Sequence, residues 1–96
     1  MLSVIPVSLI GLSGDEINRE VLRAAIIAEL DAVNLYEQMA SMTNDKNIKA
    51  VLLDIAREEK THVGEFQTML LRIDKEQEME LEEGKKEIEE LVGKNG

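Results

Sequence analysis

The sequence has no cysteine, no tryptophan, one histidine and one proline. Without thiols there is no disulfide, no thiolate metal ligand and no thiol nucleophile, and the composition fits a reducing compartment. Aromatic residues make up 2% of the chain, Tyr36 and Phe66 alone, too few for a base-stacking surface. There is no glycine-rich phosphate loop and no internal repeat. Ser3, Ser8, Ser13 and Ser41 lie far in sequence from His62, so no nucleophile constellation forms. Positive charge is scarce: 11 basic against 20 acidic residues give a net charge of -9, which argues against nucleic acid and anionic membrane as partners. The same charge attracts cations, although most exposed glutamates simply solvate helix faces. The apolar start, Met1 to Leu12, has no basic front and is interrupted by Pro6 and Gly11. It is too short to span a bilayer and lacks the form of a signal peptide.

What is present is helix-forming. At 96 residues the chain is one small domain with a limited core of its own, which association with other copies would enlarge. Glu, Leu, Ala, Ile and Lys dominate. Residues 1–14 are expected to form an arm, 15–92 a helical domain and 93–96 a tail or linker. Ser13-Gly14-Asp15-Glu16 has the capping-box pattern and opens a helix running to about Met42. Thr43 to Asn47 is turn chemistry, with Asn44 or Asp45 capping a second helix from about Lys46 to Ile73. Asp74, with Gln77 three places on, caps a third, shorter and mostly charged helix that Gly84 could bend. The expected fold is all-α, an antiparallel two-helix hairpin plus a short C-terminal helix.

The second helix carries a seam with alternating steps of four and three: Ile48, Leu52, Ile55, Glu59, His62, Phe66, Met69, Ile73. Its middle is polar where a core residue belongs. The first helix has a matching seam, Leu22, Ile26, Glu29, Val33, Tyr36, Ala40, again with one mid-seam carboxylate. Glu29 precedes the turn by about as many residues as Glu59 and His62 follow it, so folding the chain back brings all three to one height. A buried carboxylate without a partner costs several kcal/mol, on the order of 2–7, and is normally paired or bound to a cation. The pattern predicts a metal site.

Four-helix di-iron carboxylate proteins take one Glu from each of two helices and a Glu-x-x-His from each of the other two. This chain supplies half of that set, and a second copy related by a two-fold axis supplies the rest, completing a four-helix bundle by dimerisation. Two copies each of Glu29, Glu59 and His62 give four carboxylates, which balance two divalent cations. Oxygen-rich donors with one imidazole per metal suit iron or manganese better than zinc. His62 must coordinate through one neutral ring nitrogen while the other donates to Asp31, Glu58 or a backbone carbonyl. Tyr36, two turns from Glu29, is either a core aromatic or a hydrogen-bond donor to the site. A competing reading makes the three groups a buried polar layer that fixes the register of a non-catalytic assembly module.

Ala28-Glu-Leu-Asp-Ala-Val-Asn-Leu-Tyr-Glu-Gln38 followed by Ala56-Arg-Glu-Glu-Lys-Thr-His-Val63 resembles the encapsulated ferritins, over roughly Glu20 to Ile73. These are two-helix, ferritin-like ferroxidases housed inside encapsulin nanocompartments. The resemblance implies that Glu29, Glu59 and His62 hold a di-iron centre shared between two chains and that Tyr36 contacts it. It implies oxidation of Fe(II) for iron storage and mineralisation, with a homodimer as the catalytic unit and a ring-shaped decamer as the assembly. It also implies a cytoplasmic location inside an encapsulin shell, reached by a targeting peptide after the helices or by fusion to the shell protein. The family's secondary acidic site, through which metal enters, is matched here by Asp31; Ala28 and Leu35 stand where another member has Glu and Trp. A rubrerythrin-like di-metal peroxidase is the alternative enzyme, and the lack of cysteine rules out a rubredoxin-type iron centre on this chain.

Overall fold

The computed structural model describes residues 11–95. Three α-helices and no strand occur among them: α1, Gly14–Met42; α2, Lys46–Ile73; and α3, Lys75–Val92. The expected arm falls mostly on residues 1–10, outside the described part.

Each helix begins where a short polar side chain satisfies the free N–H groups of a first turn. The Ser13 hydroxyl accepts from the Glu16 N–H at 3.2 Å, which is the cap expected of that tetrapeptide, and donates to the Glu16 carboxylate at 3.1 Å, so the carboxylate meets the hydroxyl in place of the backbone N–H of a full capping box. Asp45, not Asn44, caps α2: its Oδ1 accepts from the N–H groups of Asn47 and Ile48 at 2.9 and 3.0 Å. The connection from α1 to α2 is only three residues, Thr43 to Asp45, so the two helices run antiparallel side by side.

Between α2 and α3 there is one residue, Asp74. Its N–H closes α2 onto the Leu70 carbonyl at 2.9 Å, and its carboxylate caps α3 by accepting from Gln77 N–H at 3.0 Å. The same carboxylate accepts from Arg23 of α1 at 3.1 Å. One side chain therefore pins the α2–α3 corner to the hairpin. Helix α3 runs through Gly84 without interruption, so no break occurs there, and ends at Gly93, whose φ of 86° only glycine adopts readily.

Among the described elements the α1–α2 interface is the one extensive contact; α3 meets α2 only slightly. Five of the described residues are buried, Ala32, Val33, Ala40, Ala56 and Leu70, and three of them are alanines that let the two backbones approach. Among the described residues no large side chain is fully buried, and no residue of α3 is buried. The radius of gyration is 16.8 Å, against about 12.5 Å for a compact domain of this length. Large apolar side chains at Ile27, Leu30, Ile48, Val51, Met69 and Ile73 are each more than two-fifths exposed. The hairpin thus has little core and leaves extensive apolar faces uncovered.

Candidate metal centre

The antiparallel hairpin brings Glu29 of α1 against Glu59 and His62 of α2. Each offers one ligand atom, and these atoms lie within 4.8 Å of one another. His62 Nδ1 is 3.4 Å from Glu59 Oε2 and 3.5 Å from Glu29 Oε2. Those separations are too long for hydrogen bonds. Glu29 Oε2 is fully enclosed and has no hydrogen-bond partner.

That orphan oxygen tests whether a metal suits the site. An unpaired buried acceptor costs about 1–3 kcal/mol, more if charged, so a fold retains one only where something else meets it. Metal–ligand bonds of about 2.1 Å put neighbouring donors about 3 Å apart, so the observed 3.4 and 3.5 Å need only a few tenths of an ångström of side-chain adjustment. Two carboxylates facing one imidazole leave negative charge that a divalent cation neutralises. Two oxygens and one nitrogen, with no sulfur, are donors for iron or manganese. The residues fit the group.

Burial is graded. The carboxylates of Glu29 and Glu59 are 20% and 19% exposed, and the imidazole is 45% exposed. The group sits at the hairpin's edge, partly open. Counting 100° per residue, Ile48, Val51, Met69 and Ile73 fall with Glu59 and His62 in an arc of about 80° on α2. The open side of the site is thus continuous with an open apolar stripe.

Tyr36 is half-buried on α1, two turns after Glu29 and on the same face. Asp31 is exposed and stands about 200° around α1 from Glu29, so the hairpin does not bring it to the group. Lys60 bonds Glu37 at 3.0 Å across the two helices, a surface pair that helps fix their register. Two residues not singled out in the sequence as site residues also line the site: a cavity of about 360 Å³ is walled by Glu29, His62, Glu65 and Phe66. Phe66 had been legible only as a seam position. Glu65 was legible, had the row Glu59, His62 been extended by three.

A paired-helix scaffold with an interior Glu and a facing Glu-x-x-His is the signature of the ferritin-like class of carboxylate metal proteins. Comparison with known proteins agrees. The family model described as rubrerythrin matches residues 20–94. The crystal structure of the encapsulated ferritin domain from Pyrococcus furiosus superposes with a TM-score of 0.85 at 52% identity, over 97% of each chain. The ferritin-like–encapsulin shell fusion protein of Pyrococcus furiosus is 61% identical over 74 residues, which are 77% of this chain and 21% of that protein. The encapsulin nanocompartment cargo protein EncC of Myxococcus xanthus is 39% identical over 56 residues, 58% of this chain and 43% of that one. The chain thus spans about a fifth of one curated relative and less than half of the other. It belongs to the rubrerythrin family and, within it, to the encapsulated ferritins. No described helix is long and apolar enough to cross a membrane.

Proposed function

We propose that the chain is a ferroxidase that oxidises Fe(II) to Fe(III) at a di-iron centre shared between two copies, for iron storage and mineralisation inside an encapsulin shell. The observation that carries this reading is the convergence of Glu29, Glu59 and His62 around an oxygen with no partner, at an edge that opens onto an apolar stripe. A second copy docked on that stripe would bury it. It would also double the donors to four carboxylates and two imidazoles, the full set of a di-iron carboxylate bundle.

Ile27 and Leu30 lie on the other side of α1 and are 58% and 50% exposed. A second apolar face of this kind supports contacts beyond the dimer, as a closed ring such as a decamer requires. The names of the relatives, one a fusion with a shell protein and the other a nanocompartment cargo, support the location and the partner. An open ring of hairpins has no hollow to hold mineral, so oxidation belongs to this chain and storage to the shell.

Fe(II) is the substrate, and each ion gives up one electron to dioxygen or peroxide. Glu29, Glu59 and His62 bind it and hold it close to a second ion. His62 presents Nδ1 to the group, the ring nitrogen that would hold an ion there. Carboxylates can move between terminal and bridging positions, which accommodates both oxidation states without displacing a helix. Phe66 gives the cavity an apolar wall beside Glu29 and His62. Tyr36 stands within two turns of Glu29 as a hydroxyl that can donate toward the centre.

The test is to add Fe(II) anaerobically and then admit air. Ferric absorbance should grow over many turnovers per dimer, and Glu59→Ala or His62→Ala should reduce it to the background of free iron. An equal rate in the parent and both variants would sink the reading. The match to the rubrerythrin model favours one rival, a di-metal peroxidase. That enzyme would consume hydrogen peroxide with a supplied reductant and accumulate no ferric product.

A further inference from the structure

The open stripe on α2 has a counterpart on the other side of the hairpin. Where the three helices meet, a groove of about 330 Å³ is walled by Ile26 and Ile27 of α1, Leu70 and Leu71 of α2, and Leu81 of α3. Gln67, also on the wall, and Leu71 stand about 140° and 180° around α2 from His62. The groove therefore faces away from the metal group and from the stripe that a second copy would cover.

It carries no free charge. None of its walls is acidic, and its one charged side chain, Arg23, donates to Asp74 at 3.1 Å. The remaining polar walls are the amides of Gln67 and Gln77, whose side chains make no hydrogen bond among the described residues. An amide both donates and accepts, so it can meet the backbone of an extended segment. In a chain of net charge -9, such a groove selects an uncharged occupant.

The chain contains one. Residues 1–14 are its longest run without a charged side chain, and Met1 to Ile10 holds two serines and otherwise only apolar residues. The run enters α1 at Gly14. Just ahead of it, Gly11 takes a φ of 86°, which turns the chain in a way that other residues rarely adopt. From Gly14, Arg23 and Ile27 lie about 14 and 20 Å along the axis of α1. Extended chain covers about 3.3 Å per residue, so an arm doubling back from Gly11 brings Val7 level with Arg23 and Ile5 level with Ile27.

We propose that residues 1–10 fold back along α1 of their own chain and seat Ile5 to Val7 in this groove, closing it and bracing α3 against the hairpin. Helix α3 has few other ties, since it meets α2 only slightly and none of its residues is buried. Ile27 also belongs to the second apolar face of α1, which the seated arm would enlarge. Glu29, Glu59 and His62 take no part.

The chain has no cysteine, so an introduced pair reports on its own. In the full chain, Val4→Cys, Ile5→Cys and Val7→Cys are each combined with Gln67→Cys at the groove. The controls use Thr68→Cys, one residue on and about 100° around α2. Both α2 positions are exposed, so neither substitution touches the core. After mild oxidation, a link within one chain leaves a monomer without free thiols on a non-reducing denaturing gel, and a link between chains leaves a dimer. At least one Gln67 pair should close within its chain about tenfold faster than its Thr68 control. Closure no faster than the controls in all three would overturn the proposal, whether the groove stands open or another copy's helix fills it. Dimers from the Gln67 pairs would overturn it too, because the arm would then come from a second copy.

Discussion

Replacing Glu29 by methionine should stabilise the metal-free protein and destroy its metal site in the same step. The Glu29 side chain is four-fifths buried and its Oε2 is enclosed without a partner. An unsatisfied buried acceptor costs about 1–3 kcal/mol, and the partial exposure argues for the lower half of that range. Methionine has a similar length and no polar atom, so it removes the penalty and leaves no cavity. It also removes one of two carboxylates that face the same imidazole. The net gain should be about 1–2 kcal/mol, which in a domain of this size raises the melting temperature by about 5–15 °C. The assay is thermal unfolding by circular dichroism in excess chelator, at one fixed protein concentration because association also moves the midpoint. With Co(II) or Fe(II) at about a hundredfold over its dissociation constant, the parent should gain about 2.7 kcal/mol and the variant nothing. A variant less stable than the parent in chelator would refute the reasoning. It would mean that Glu29 is satisfied in the metal-free protein and that the site needs no cation.

The remaining predictions concern association, the corners and the surface. Met69→Asp or Ile73→Asp should shift the protein toward monomer in sedimentation and abolish iron oxidation, because the apolar stripe and the half-site share one edge. Asp74→Ala removes the cap of α3 and the Arg23 bond together, so amide exchange along α3 should quicken before that of α1 or α2, with a loss of about 1–2 kcal/mol. Gly64→Ala meets nothing within 4 Å in this hairpin and should stabilise an isolated copy by about 0.5–1 kcal/mol; a loss of association in sedimentation would instead mark Gly64 as a point of close approach. The hydrogen bond and charge of Arg57 hold the Asp54 carboxyl below its usual value. A depressed folded-state value adds stability above the unfolded value, lost as pH falls through the folded one. Both groups are fully exposed, so Asp54→Asn should not move the neutral-pH midpoint measurably.

Much of the fold was legible because its signals are local. Ser13, Asp45 and Asp74 each stop or start a helix through bonds to residues two to four places away, and those bonds form wherever that sequence turns. The meeting of Glu29, Glu59 and His62 was legible for a related reason. Helical periodicity fixes that Glu59 and His62 share a face, and a turn midway between them and Glu29 fixes the height at which they meet. What chain order could not show was burial. The seam residues Ile48, Met69 and Ile73 carry the same signal as core residues, yet they stand open in the single hairpin.

The sequence alone therefore determined the three helices, their caps, and which polar side chains interrupt an apolar seam, since each of these follows from spacing along one backbone. Only the packing of α1 on α2 decided that a carboxylate oxygen of Glu29 would be enclosed without a partner, and that Ile48, Met69 and Ile73 would stand open. Those outcomes depend on how two helices rotate about their own axes when alanines bring them close, and no interval counted along the chain encodes that rotation.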